Sequence, residues 1–265
     1  MKKNEFIWGL KAIPVVFKNI YTINSVKNKK KYAQLKELKN IHKGERCFLI
    51  GTGPSLSIDA VNSLKNETVF LCNYGITMCD KLCFKPDYYV IVDRTCYNDV
   101  KSYLNLDYVK SPIVVDMIDS EGGIEELKDN ENWIHLPGYR AYFYIERVLN
   151  KRWHFSFDAS KSVFAGGSVV YYCYQLAAYM GFSEIYLLGM DCDFSNDKQH
   201  FVSLNKEIDN KLRKNSNWYS NTFLKMHSCA KYFCDKRNIK IYNATDGGKL
   251  DIFERKSLEE VLNNG

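Results

Sequence analysis

Three groups of residues in this chain have types and spacing that could do chemistry. Gly51-Thr52-Gly53-Pro54-Ser55 follows the apolar run at 47–51 (CFLIG), so a turn of glycines and hydroxyls ends what reads as a buried strand. Its amides and the Thr52 and Ser55 hydroxyls suit a phosphate, and its glycines equally suit a plain tight corner. It is neither a Walker loop, since GK[ST] is missing, nor a dinucleotide fingerprint, since the third glycine is absent. Asp191-Cys192-Asp193 has the DxD form that can hold a divalent cation against a diphosphate through hard oxygen ligands, although two acids after a strand also arise by chance. His200 lies just beyond, in the polar run SNDKQHF, where an imidazole titrating near neutrality can serve as a general base.

The elements that must position these groups are legible as apolar, β-branched or aromatic runs at 47–51, 69–73, 88–93, 112–116, 132–136, 184–189 and 240–243. Most are continuous, as strands covered on both faces are. Helical stretches at about 57–65, 97–105, 168–181 and 216–237 separate several of them. This alternation predicts an α/β fold: a single doubly wound, mostly parallel sheet of about seven strands with helices on both faces. Ligands of such sheets bind beyond the C-terminal strand ends. There the chain places Gly51–Ser55, Asn73, Asp93, Asp191 and Asp193, the Gly166-Gly167-Ser168 turn before an apolar helix, and Asn243 with Thr245. Ser168 also reads as that helix's N-cap, and Asp93 as an N-cap or a partner of Arg94. Stretches 138–165 and 195–215 have the weakest periodicity and read as lid or acceptor segments. The second carries Asp197, Lys198, His200 and Lys206. His42 and His135 have no site context, and His154 and His227 read as packing residues in aromatic or helical runs.

Charge is unevenly spread. The 265 residues carry a formal charge of +6, yet 1–43 hold 11 Lys against Glu5 and Glu37, which leaves the remainder slightly acidic. That argues against nucleic acid as a partner of the body. The chain therefore divides into a basic, helical N-terminal extension, 1–44, and one catalytic domain, 45–265. The extension is interrupted by Lys11, Pro14 and Lys18, too soon to span a bilayer. Either it packs on the domain with its lysines solvated, or it contacts an anionic membrane as an interfacial helix. Nine cysteines at irregular spacing, with no secretory signal, fit reduced thiols in the cytoplasm, and Cys79-x3-Cys83 lacks partners for a zinc site.

The motifs FLIGTGPSL, LCNYG, PDYYVIVD, GGSVVYYCYQLAAYMGFSEIYLLGMDCDF, HF and IYNATDGGKLDIFER, over roughly 45–260, resemble one superfamily. It comprises the bacterial family 42 sialyltransferases, the motility-associated-factor flagellin glycosyltransferases and the 6-hydroxymethylpterin diphosphokinase-like proteins. The resemblance implies a Rossmann-like, GT-A-variant-like sheet and a nucleotide-sugar donor, CMP-linked in family 42, with no cofactor required. By motif match Gly51, Gly53, Pro54, Ser55 and Asn73 would bind the donor, with Thr52, Gly166, Gly167, Ser168, Asn243 and Thr245 beside them. His200, followed by Phe201, matches the family's general base, and Asp93 and Asp191 join it as catalytic candidates. Asp93 stands where family 42 has a second asparagine, and Phe194 is followed by no tyrosine until Tyr219, where that branch has leaving-group tyrosines. The implied function is inverting transfer of a sugar, such as a sialic or other nonulosonic acid, to a bacterial surface glycan or glycolipid, by a cytoplasmic and membrane-peripheral enzyme able to form homo-oligomers. The alternatives are an Mg-dependent diphosphokinase using Asp93, Asp191 and Asp193, or a non-catalytic nucleotide-binding protein.

Overall fold

In each central strand successive side chains are buried on opposite faces, which is why the strand runs are continuously apolar. Cys47 and Leu49 face one core with Phe70 and Val90, whereas Phe48 and Ile50 face the other with Leu71, Tyr89 and Ile91. The computed structural model describes residues 13–14, 30–120, 123–195, 200–202 and 204–263.

The strands are β1 (Arg46–Ile50), β2 (Thr68–Cys72), β3 (Tyr88–Ile91), β4 (Ser111–Met117), β5 (Ile134–Tyr139), β6 (Val163–Phe164), β7 (Glu184–Leu188), β8 (Lys240–Asn243) and β9 (Glu254–Arg255). They form one nine-stranded sheet in the order β6-β5-β4-β3-β2-β1-β7-β8-β9, with every pairing parallel. The two strands beyond the expected seven, β6 and β9, are two-residue edge pairings too short to leave a pattern. After β6 the chain returns to the far side of β1 and adds β7 there, so β1/β7 is the topological switch point, where the loops diverge and a crevice opens.

The described helices are α1 (Ile58–Asn62), α2 (Arg94–Val100), α3 (Ala141–Val148), α4 (Val169–Met180), α5 (Lys206–Lys214), α6 (Ser216–Asp235) and α7 (Leu258–Asn263). α4 is buried nearly all round, starts at the Ser168 N-cap and stops at left-handed Gly181. Its one polar interior residue, Gln175, accepts from the Ser156 and Phe164 amides and donates to the Phe164 and Tyr171 carbonyls. A fully hydrogen-bonded amide carries little burial penalty and pins β6 to the helix. Stretches 138–165 and 195–215, expected to lack regular structure, contain α3 and α5.

Residues 30–44 belong to the packed body. Tyr32 and Leu35 are buried, Tyr179 Oη donates to the Leu35 carbonyl, and Lys31 Nζ lies 2.7 Å from Asp116 Oδ2. The other expectations for the basic extension concern 1–12 and 15–29, which lie outside the described residues. Among the described residues no helix is long and apolar enough to cross a membrane.

Candidate functional site

A cavity of about 590 Å³ opens at the C-terminal edge of the sheet over the β1/β7 switch point. Its wall includes Gly51, Thr52, Gly53, Pro54, Asn73, Asp93, Gly167, Ser168, Asp191, Asp193 and His200, so most of the candidates meet at one place. The volume suits a nucleotide-sized ligand.

The loop after β1 is stitched to the end of β7. Gly51 N donates to Leu188 O at 2.7 Å and Gly53 N to Gly189 O at 2.9 Å. Ser55 donates twice to Asp191, from its hydroxyl at 2.8 Å and its amide at 3.3 Å. This corrects the expectation that the whole loop cradles a phosphate: three of its amides are already spent and Pro54 has none. Among the described residues the Thr52 amide is the one left without a hydrogen bond. Ser55 is a brace for Asp191 and does not line the cavity.

One other candidate pair behaves alike. Asn243 donates to the Leu250 carbonyl and accepts from the Thr245 amide, while Thr245 Oγ1 accepts from the Met190 amide at 3.0 Å. Both residues are buried behind the β7 loop and outside the cavity wall, so they hold that loop in place. Gly166 also lies outside the wall; a Cβ there would come within 2.3 Å of the Tyr171 ring, so close packing requires the glycine. Gly167 lines the cavity with φ +87°, a left-handed turn that delivers Ser168 to the start of α4. Ser168 caps Val170, and the Ser168 and Val169 amides have no hydrogen bond among the described residues. Those amides, at the positive end of a twelve-residue helix, are the stronger oxyanion donors.

The acids are separately engaged. Asp93 Oδ1 accepts from the Thr95 and Cys96 amides at 2.8 and 3.2 Å, which makes Asp93 the N-cap of α2. Burial pushes the Asp191 carboxyl above the usual carboxylate range, against the pull of its two Ser55 bonds. Asp193 is held down to about 2 by the Ser195 hydroxyl and by Lys249, whose Nζ is 2.9 Å away. Among the described residues no three His, Cys, Asp or Glu side chains come together as a cation cage. Asp197 and Lys198 lie outside the described residues.

His200 Nδ1 is 2.9 Å from Thr52 Oγ1, and Phe201 N donates to the Thr52 carbonyl at 2.8 Å. His200 Nε2 stands 4.0 Å from Asp209 Oδ1, beyond hydrogen-bond reach, and its ring packs 5.1 Å from Tyr74. Burial lowers the imidazole's pKa, with Asp209 and Thr52 opposing, so the ring is neutral near pH 7. Neutral imidazole with Nδ1 donating to Thr52 leaves the Nε2 lone pair for an incoming hydroxyl.

Cys192, between the two acids, has φ +52° and its Sγ lies 3.6 Å from His227 Nε2, while His227 Nδ1 meets Tyr174 Oη at 2.8 Å. The Cys192 thiol is pushed up to about 12 by burial, so this cavity residue is not a ready thiolate. Fully buried His227 is lowered to about 3. The unfolded chain therefore binds a proton near pH 6.5 that the native chain refuses, and stability is expected to fall as pH drops from there toward 3, by up to about 1.4 kcal/mol per pH unit. Denaturant midpoints of wild type and His227→Gln at pH 7 and 5 check this; an equal loss in both proteins would reject it.

The remaining histidines serve packing. His42 bridges Glu45 and Tyr88, His135 bonds Asp116, and His154 bonds Glu146. All nine cysteines are free thiols.

Sequence reading missed the wall opposite the strand tips: Arg140, Phe143, Tyr144 and Arg147 from α3 and its N-cap, Lys211 from α5, and Trp218, Tyr219 and Phe223 from α6. Its one trace was the aromatic density of 138–165 and of the start of the helical stretch at 216–237.

A search of curated proteins gives no match. Among solved structures, the MAf glycosyltransferase from Magnetospirillum magneticum AMB-1 superposes with a TM-score of 0.51 at 13% identity, over 88% of this chain and 39% of that one. This chain thus spans about two fifths of that protein's length (39%), and the likeness is one of fold. The sialyltransferase CstII from Campylobacter jejuni, in complex with the substrate analogue cytidine-5'-monophosphate, gives a TM-score of 0.48 at 18% identity, over 81% of this chain and 86% of that one. A family model described as 6-hydroxymethylpterin diphosphokinase MptE-like matches residues 19–197, a span that holds β1 to β7, both glycine turns and the DxD pair. The chain belongs to the MptE-like family.

Proposed function

We propose that this chain is a glycosyltransferase that binds a nucleotide-activated sugar in the switch-point cavity and passes the sugar, with inversion, to a hydroxyl of a surface glycan or glycolipid. The observation that carries this reading is one cavity in which, among the described residues, both His200 Nε2 and the Thr52, Ser168 and Val169 amides have no hydrogen-bond partner. His200 Nε2 would take the acceptor's proton while Nδ1–H stays on Thr52. The acceptor oxygen would bond to the anomeric carbon as the bond from that carbon to the donor phosphate breaks. The phosphate would leave with the electron pair, met by the Thr52, Ser168 and Val169 amides, which are preorganised for the developing charge. Asn73 would contribute too: it lines the cavity at φ +46°, and its Oδ1 is buried without a partner.

Sequence likeness to family 42 makes a CMP-linked donor the first expectation, and the fold likeness to the MAf glycosyltransferase supports sugar transfer generally. Residues 1–43 would bring the protein to an anionic membrane surface. A second reading, diphosphate transfer from ATP to an alcohol, is favoured by the family's description. Its Mg2+ would need Asp93, Asp191 and Asp193 as one ligand set. They do not fit that demand, because they bond to α2, Ser55 and Lys249 respectively.

Thermal shift with cytidine monophosphate, cytidine diphosphate, uridine diphosphate, guanosine diphosphate and ATP, each with Mg2+ and with EDTA, tests the choice. A cytidine nucleotide that binds only the native state should stabilise by about 2.7 kcal/mol at a hundredfold excess over its dissociation constant, with or without EDTA. Stabilisation by ATP alone, and only with Mg2+, would instead establish the second reading. Stabilisation with no transfer from any nucleotide sugar tried would leave a non-catalytic nucleotide-binding protein.

A further inference from the structure

The cavity's charges are segregated by element. Its carboxylates, Asp93, Asp191 and Asp193, come from the strand tips, whereas its cations, Arg140, Arg147 and Lys211, come from the α3 and α5 wall facing them. Each acid is already bonded within the protein, so the acidic side is internally compensated.

Arg140 and Lys211 are not compensated in the same way among the described residues. Arg140 is half-buried, and its guanidinium has no hydrogen bond or ion pair among the described residues; the nearby Asp119 carboxylate is taken up by the Arg140 and Ala141 amides at 2.8 and 3.0 Å. Lys211 has no such partner among the described residues either, and stands exposed at the rim. Arg147, seven residues after Arg140 and so on the same side of α3, lies 4.1 Å from the Trp218 ring centroid and 5.9 Å from that of Phe143. Stacking fixes a guanidinium plane in advance, so less freedom is lost when it grips an oxyanion. Desolvating a cation is costly without a counter-charge. A half-buried arginine facing a ligand-sized cavity is therefore a position that an anionic ligand completes. Beside it, Trp218, Tyr219 and Phe223 offer flat apolar surface, and Ile208 and Leu212 line the cavity next to Lys211 on α5, the helix whose Asp209 faces His200.

We propose that this wall is an oxyanion subsite for the acceptor, which would be a hydroxylated ring bearing a carboxylate or a phosphate. Arg140, Arg147 and Lys211 would hold the anion, the aromatic residues the ring, and the ring's hydroxyl would reach His200. The inference rests on the transferase reading and names its acceptor class.

Calorimetry with glucuronate, glucose 6-phosphate and neutral glucose tests it on wild type and on Arg140→Gln, Arg147→Gln and Lys211→Gln, with cytidine monophosphate titrated into the same proteins. An anionic ring should bind wild type at least about tenfold more tightly than glucose, and each arginine variant should lose about tenfold or more of that affinity. Arg140→Lys should recover part of it. Whichever of glucuronate and glucose 6-phosphate binds better identifies the anion. Equal binding of glucose, or variants that bind the anionic rings like wild type, would overturn the subsite. Loss of cytidine monophosphate binding in Arg140→Gln alone would reassign these cations to the donor and likewise overturn it. Wild type that binds an anionic ring but no nucleotide would keep the oxyanion site and reject the donor reading beneath it.

Discussion

His200→Ala is expected to reduce sugar transfer by about 10²- to 10⁴-fold, the range a positioned general base contributes. Affinity for the donor nucleotide should change little, because the amides assigned to its phosphate lie on Thr52, Ser168 and Val169. The imidazole is held by Thr52 at Nδ1 and has no hydrogen bond at Nε2 among the described residues, so removing it takes away the proton acceptor and leaves the α4 N-terminus unchanged. His200→Gln keeps a polar side chain beside Thr52 yet cannot accept the proton productively, so its rate should be as low as that of the alanine variant. The pH profile follows from the same geometry. Because burial lowers the His200 pKa, the neutral base persists below the ordinary histidine value of about 6.5, and the acid limb of the rate should fall below that pH. Transfer by either variant within threefold or so of wild type would remove His200 from the mechanism.

Gly53→Ala should lower stability by about 3 kcal/mol or more, the range of a lost buried hydrogen-bond set with steric overlap. A Cβ at Gly53 would come 1.9 Å from Asp191 Oδ2 and 2.8 Å from the Gly189 carbonyl oxygen. Neither obstacle is the free end of a flexible chain, since Asp191 is tied to Ser55 and Gly189 O accepts from Gly53 itself. The loop must therefore lift off β7 and leave Asp191 buried without its donors. Gly247→Ala is the control: Gly247 has φ +74° but no atom within 4 Å of an added Cβ, so it should cost only the left-handed penalty, about 1–2 kcal/mol. Urea midpoints measure both. If Gly53→Ala instead unfolds like wild type but binds nucleotide poorly, the glycine serves ligand approach and the stitched corner is the wrong account.

Most of the sheet was legible because its signal is local. β1, β2, β3, β4 and β7 each carry a continuous apolar run, and a strand covered on both faces can be recognised from its own residues. β5 runs on past its predicted end to Tyr139, through Pro137 and Gly138, residues that ordinarily mark a strand's end. β6 and β9 have two residues each and depend on the strands they pair with. α3 lay hidden in 138–165 since its eight residues, AYFYIERV, mix aromatic and charged side chains and it begins without a capping side chain. Asn243 and Thr245 were correctly placed at a strand end but not behind the loop, because a side chain's direction after a strand depends on what packs there.

By itself the sequence determined the parallel α/β architecture, the two glycine turns, the DxD pair and the assembly of strand-tip residues at one edge. These rest on periodicity and on the rule that parallel strands end together. Only the tertiary structure decided which of those residues have groups left for a ligand. Gly51, Gly53 and Ser55 spend their amides on β7, Asp191 spends its carboxylate on Ser55, and Asp93 spends one oxygen on α2. Among the described residues the Thr52, Ser168 and Val169 amides and His200 Nε2 have no hydrogen-bond partner, and Arg140 arrives at the start of a helix that periodicity did not reveal. A hydrogen bond uses up a group through its partner, and for Gly51, Gly53, Ser55 and Asp191 the partners lie more than a hundred residues away in the chain, beyond the reach of any local pattern.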